Sequence, residues 1–173
     1  AMERESARER IRQLANYDGL TGLSNRAMLL EQSGQLLNQI SQNDDRLAVI
    51  FIDLDRFKRI NEGFGHNEGD ELLRIVAQRL RDALPHDGVA GRLAADEFVL
   101  VWPYGQQESL NACLDHLSQS LSQPCMIGGM SFVPAASIGV SLYPEDGADM
   151  EALLHHADMA MNQAKRGVGD QGV

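Results

Sequence analysis

The sequence predicts an α+β domain, a mostly antiparallel sheet flanked by helices and related to the ferredoxin-like plan. Three observations lead there. RLAVIFIDLD holds an unbroken apolar run, the pattern of a strand buried on both faces. VAGRL and EFVLVW flank Ala94-Ala95-Asp96 at hairpin spacing. Amphipathic segments such as DELLRIVAQRLRDAL alternate with these strands and would cover the sheet. At 173 residues the chain is large enough for one domain with its own core.

The elements follow in order. Residues 1–16, AMERESARERIRQLAN, read as a charged helical linker with Glu5–Arg8 and Glu9–Arg12 at i,i+3. Ala7, Ile11 and Leu14 form a narrow apolar seam, the pattern of a signalling coiled coil entering from an upstream domain or of a solvated arm. The main domain is expected over 17–173. It opens with YDGLTGLSNR, a turn-rich stretch ending in helix-capping residues. A helix is expected from Arg26 to Gln42, carried by Met28, Leu29, Leu36, Leu37 and Ile40, and then the buried strand. INEGFGHNEG reads as a glycine-punctuated segment before the helix built on Leu72, Leu73, Val76, Leu80 and Leu84. After the hairpin come a helix over QQESLNACLDHLSQSL, two strands in MIGGMSFVPAASIGVSLY, and a closing helix with Leu153, Leu154, Ala157, Met161 and Ala164.

Charge and composition narrow the function. Asp and Glu number 25 against 15 Lys and Arg, a formal charge of −10. That argues against a nonspecific nucleic-acid binder or a basic membrane-surface protein, which need a positive field. LAVIFI is far too short to span a membrane, so no direct membrane insertion is expected. No signal-peptide pattern opens the chain. Cys113 and Cys125 lack metal-type spacing, which suits a reducing, cytoplasmic setting.

The chemistry concentrates in FIDLDRFKRIN. Asp53 and Asp55, at i,i+2, point to one side of the sheet at the end of a buried strand. Asp96-Glu97 sits at the hairpin. If the two strands are neighbours, three or four carboxylates converge, and their mutual repulsion calls for a cation. Mg²⁺ suits such a place, because it takes one or two carboxylates and completes its shell with water and phosphate oxygens. That is the logic of metal-assisted phosphoryl and nucleotidyl transfer. The plainer reading pairs Asp55 and Glu97 with Arg56 or Arg92.

DGLTGLSNR, FIDLDRFKRINEGFGHNEGDELL, RLAADEF, ASIGVSLYPEDG and ADMAMNQAK, in this order and spacing, resemble a GGDEF domain, the diguanylate cyclase family of bacterial cyclic di-GMP signalling. The resemblance runs from about Tyr17 to Lys165 and implies a nucleotidyl-cyclase-like fold. It implies Mg²⁺ (or Mn²⁺) held by the Asp53 carboxylate, the Leu54 carbonyl and Asp96. Glu97 would help activate the ribose 3′-hydroxyl of GTP. Asn61 and Asp70, eight and seventeen residues after Asp53, would read guanine. Lys58 and Lys165 resemble lysines that contact the triphosphate. Catalysis in the family needs a homodimer in which each protomer supplies one GTP.

The departures matter as much. The signature Gly-Gly is Ala94-Ala95, which implies alanines strained into a left-handed turn and two methyl groups facing the nucleotide. The family's inhibitory Arg-x-x-Asp falls on Pro85 and Gly88, and a late arginine falls on Gly169. ASIGVSLYPEDG resembles the GGDEF half of proteins that continue into a phosphodiesterase EAL domain. The favoured expectation is a GTP-binding module, impaired in catalysis, that regulates an attached domain. The alternatives are an active cyclase condensing two GTP to cyclic di-GMP and, least favoured, a pure protein-interaction domain.

Overall fold

The computed structural model describes residues 2–41, 45–105 and 110–171. The helices are α1 (Met2–Asn16), α2 (Arg26–Ile40), α3 (Phe57–Phe64), α4 (His66–Ala83), α5 (Leu110–Leu121) and α6 (Met150–Gln171). The strands are β1 (Arg46–Leu54), β2 (Val89–Ala94), β3 (Glu97–Tyr104), β4 (Cys125–Ile127), β5 (Met130–Phe132) and β6 (Ala136–Tyr143). The main sheet runs β2-β3-β1-β6 with every pair antiparallel. β1 therefore lies inside the sheet with helices on both faces, which is why its apolar run is continuous.

Alternation along β1 sorts the core into two layers. Ala48, Ile50, Ile52 and Leu54 face Leu72, Leu73, Val76 and Leu80 of α4 and Leu117 and Leu121 of α5. Leu47, Val49 and Phe51 face Leu29 and Ile40 of α2 and Leu153, Ala157 and Met161 of α6. Asp53 shares the parity of the second set, so it belongs to the α2–α6 side.

Two expectations change. The glycine-punctuated stretch 60–69 is mostly helix: α3 follows the strand at once, Gly65 turns the chain at φ +102°, and α4 begins at His66. Glycine carries that break because it tolerates positive φ. MIGGMSFV, expected as one of two strands, supplies two short ones. It folds on itself as the separate β4–β5 hairpin, with Gly128 and Gly129 both at positive φ in its turn. The segment 126–143 thus contributes to three strands rather than two. Gln42 and residues 106–109, expected at helix ends, lie outside the described residues. In α1 Ile11 and Leu14 are 66% and 72% exposed, so the seam is left uncovered by the described residues.

Candidate functional site

The register of β1 decides the site. Asp53 lies opposite Glu97 of β3 on one side and Ser137 of β6 on the other. The Leu54 amide donates to the Asp96 carbonyl at 3.1 Å, tying the end of β1 to the hairpin turn. Asp53, Leu54, Asp96 and Glu97 therefore meet at the ends of the two inner strands. The carboxylates expected to converge do so. Asp55 accepts a hydrogen bond from Ser137 Oγ at 2.6 Å, and Arg92 pairs with Asp18, so the plainer arginine pairings are not the ones formed here.

Asp53 is buried, and its Oδ1 accepts from Lys165 Nζ at 2.9 Å. Lys165 reaches it because of Gly139. That glycine pairs with Phe51, two residues before Asp53, and a Cβ there would run into the Ala157 carbonyl and the Met161 backbone. The strand thus lets α6 approach closely, and Lys165, one helical turn beyond Met161, falls over the carboxylate. Burial alone would lower the Lys165 pKa, but the Asp53 hydrogen bond and the charges of Asp53, Asp96 and Asp55 outweigh it and raise it. Burial, with a hydrogen bond to and the charge of Asp53, pushes Asp96 up to about 6. Burial, together with Asp53 and Asp158, raises the Glu97 carboxyl as well.

This donor set fits an open divalent-cation site. Among the described residues no three His, Cys, Asp or Glu side chains are placed to enclose an ion. Two close carboxylates beside a strand-end carbonyl instead leave room for water and phosphate oxygens, as Mg²⁺ prefers.

Asn61 and Asp70 lie on α3 and α4, the helices that follow the strand end. The Asn61 side chain presses on Gly69, where a Cβ would collide with its Oδ1. That Oδ1 is buried and, among the described residues, has no hydrogen-bond partner. Such an atom costs free energy unless a ligand satisfies it. Lys58 is exposed on the first turn of α3. Arg56, between Asp55 and α3, is at φ +60°, a backbone strain beside the site.

The signature turn differs from the expectation of strained alanines. Neither Ala94 nor Ala95 has positive φ; Ala95 and Asp96 form the turn, and a register shift between Arg92 and Ala94 absorbs the bend. Both alanines are exposed. Arg92 fixes the turn, its Nε donating to the Ala94 and Ala95 carbonyls at 3.2 Å and its Nη2 to Ala95 at 3.0 Å. Its Nη1 pairs with both Asp18 oxygens at 3.0 Å, and Asp18 in turn accepts from the Thr21 amide and hydroxyl. Burial opposes ionisation of Asp18, but these Thr21 and Arg92 contacts hold its pKa below the ordinary value. Sequence reasoning missed this clamp. DGLT and GRLAADEF were each recognised, yet nothing local shows that one holds the other.

A cavity of about 420 Å³ opens beside Glu97, lined by Arg26, His155 and Asp158 among others. Neither Arg26 nor Asp158 stood out in the sequence as a site residue, and His155 lacks metal-type spacing there. Pro85 and Gly88 form a tight turn, the Gly88 amide donating to the Pro85 carbonyl at 2.9 Å. Gly169 falls at the end of α6, where side chains lie outside the described residues.

The comparisons agree with the geometry. The model of the family described as "Diguanylate cyclase, GGDEF domain" matches residues 15–171. The chain is 42% identical over 161 residues to the cyclic di-GMP phosphodiesterase NbdA of Pseudomonas aeruginosa, covering 93% of this chain and 21% of NbdA. It is 40% identical over 154 residues to the diguanylate cyclase TpbB of the same species, covering 88% of this chain and 35% of TpbB. A solved sensory box/GGDEF family protein from Caulobacter crescentus matches with a TM-score of 0.82 at 40% identity, over 88% of this chain and 99% of that one. The chain spans about a fifth of NbdA and a third of TpbB. Fold, register and family model converge: the chain belongs to the diguanylate cyclase GGDEF-domain family of cyclic di-GMP signalling.

Proposed function

We propose that this domain binds GTP with a divalent cation and serves chiefly as a nucleotide-responsive regulator of an attached domain, its own synthesis of cyclic di-GMP being reduced. One observation carries the binding reading: the buried, unpartnered Asn61 Oδ1. It is an acceptor waiting for a donor, and Asp70 supplies a second acceptor nearby in sequence on α4. Guanine presents N–H donors at N1 and N2, whereas adenine presents an acceptor at N1, so two acceptors select guanine. Mg²⁺ or Mn²⁺, bound by Asp53, Asp96 and the Leu54 carbonyl, would neutralise triphosphate charge and ease loss of the ribose proton. Lys58 and Lys165 add positive charge for phosphates on a chain of net charge −10.

The regulatory reading rests on Ala94-Ala95. Their methyl groups project from an exposed turn where the family has only glycine, and a displacement of 1 Å costs on the order of 10²-fold in rate. It also rests on context. NbdA, which is named a phosphodiesterase, is about five times the length of the matched segment, which supports an upstream sensory domain and a downstream EAL domain around this one. The exposed Ile11–Leu14 seam on α1 suits pairing with a second copy. Among the described residues no helix is long and apolar enough to cross a membrane. We place the domain in the cytoplasm on the strength of its family's use of GTP and cyclic di-GMP in signalling.

A second reading, an active cyclase, is favoured by the unstrained signature turn. In it each 3′-hydroxyl oxygen bonds to the α-phosphorus of the partner GTP, pyrophosphate leaves, and Glu97 takes the proton. Burial and the neighbouring Asp53 and Asp158 charges raise its pKa, which makes it a stronger base than an ordinary carboxylate. Calorimetric titration with GTP and with ATP in the presence of Mg²⁺, followed by a cyclic di-GMP assay, tests both. Binding of GTP well above ATP with slow turnover is expected. Equal ATP binding would overturn the guanine reading, and rapid turnover would favour the second.

A further inference from the structure

The ion pair between Lys165 and Asp53 has two unequal ends. The Asp53 side chain is 8% exposed and the Lys165 side chain 42% exposed. Asp53 is locked in the sheet between Glu97 and Ser137 and cannot move away from whatever replaces its partner. Lys165 sits on a flexible four-carbon stem with an open path to solvent. Its α-carbon is held by other means, the close seating of Ala157 and Met161 on Gly139. The ammonium can therefore leave Asp53 while α6 stays in place.

The oxygen that Lys165 occupies belongs to the carboxylate assigned above to a divalent cation. An ammonium at 2.9 Å and a cation at Mg²⁺ distance on the same carboxylate would place two positive charges close enough to repel strongly at a buried site. We propose that Lys165 is a resident counter-ion of Asp53 that a divalent cation must displace. It thereby holds metal affinity down until phosphates are present to receive the released ammonium. The inference rests on Asp53 being a metal ligand and deepens that reading. It makes one side chain the link between metal and nucleotide: each ligand should tighten the other by the same factor.

The test uses the 173-residue chain without nucleotide, which separates it from the guanine reading. Mn²⁺ binding is measured by electron paramagnetic resonance for the parent, Lys165→Met and Lys165→Gln. Loss of a competing ion pair of this exposure should tighten Mn²⁺ by roughly two- to fivefold in Lys165→Met. Lys165→Gln, which can still donate a hydrogen bond but carries no charge, should fall between. Because Lys165→Met leaves the buried Asp53 unpaired at a cost in stability, the parent is also followed by lysine Nζ NMR during Mg²⁺ titration. One slow-exchanging, Asp-bonded Nζ signal should move to a solvent-exposed position as Mg²⁺ saturates. Unchanged or weaker Mn²⁺ affinity in both variants, or an Nζ signal indifferent to Mg²⁺, overturns the proposal. So does the absence of Mn²⁺ binding by all three proteins. Failure of GTP to bind, with the Mn²⁺ differences intact, removes the guanine reading alone.

Discussion

Gly69→Ala separates the fold from the nucleotide site. Gly69 lies within α4, where alanine is favoured over glycine by about 1 kcal/mol. The new Cβ would collide with Asn61 Oδ1, lie 3.0 Å from its Cγ and lie 3.5 Å from Phe57 Cζ. The obstructing atoms are the free end of a side chain rather than backbone, so the site yields by turning Asn61 aside. A side chain forced off its rotamer costs about 0.5–1.5 kcal/mol, which nearly cancels the helix gain. Stability should therefore stay within about 1 kcal/mol of the parent. Binding should not survive so well, because the displaced Oδ1 is the acceptor proposed for guanine. Losing that hydrogen bond costs about 1 kcal/mol and obstruction by the rotated amide adds to it, so GTP affinity should fall by about tenfold or more. Chemical denaturation measures the first quantity and calorimetry the second, with Asn61→Ala as the matched control. A folded Gly69→Ala protein that binds GTP like its parent would refute the assignment of Asn61.

Three further outcomes are expected. The Ala94→Gly, Ala95→Gly double variant should raise cyclic di-GMP synthesis when α1 is replaced by a dimerising coil. It should also lose about 1–2 kcal/mol of stability, because the alanines are unstrained and glycine adds only freedom to the unfolded chain. Gly139→Ala should cost about 1–3 kcal/mol or more in denaturant unfolding, since the methyl group meets backbone on α6 that cannot rotate aside. In chelator, stability should fall as pH rises from about 4 to about 6. The folded protein holds the Asp96 proton up to about 6 against an ordinary 3.8, so deprotonation is penalised only in the fold. Asp96→Asn should lack that part of the fall, and Mn²⁺ should raise the melting temperature more at pH 7.5 than at pH 5.

Much of this domain was legible in the sequence because its signals are local. The apolar run of β1, the period of α4 and the spacing of the hairpin each follow from a few consecutive residues. Asp53 and Asp96-Glu97 were visible because carboxylates at the ends of apolar strands are costly without a role. The helices of 60–69 were obscured because its three glycines read as breaks, whereas only Gly65 breaks the chain there and Gly63 and Gly69 sit inside α3 and α4. The β4–β5 hairpin was missed because a short strand reads the same whether it joins the main sheet or pairs with its neighbour.

What only the tertiary structure decided depends on residues far apart in the chain. Arg92 and Asp18 are 74 positions apart, and Lys165 and Asp53 are 112 apart. Their pairing follows from which strands neighbour β1 and from the backbone contact at Gly139, neither of which has a local signature. The same holds for the unstrained Ala-Ala turn, where a register shift in β2 relieves what the tripeptide alone implies. Sequence by itself determined which groups could do chemistry, because that is a property of side-chain type. The sheet register decided which of them meet, because a strand fixes position only through its partners.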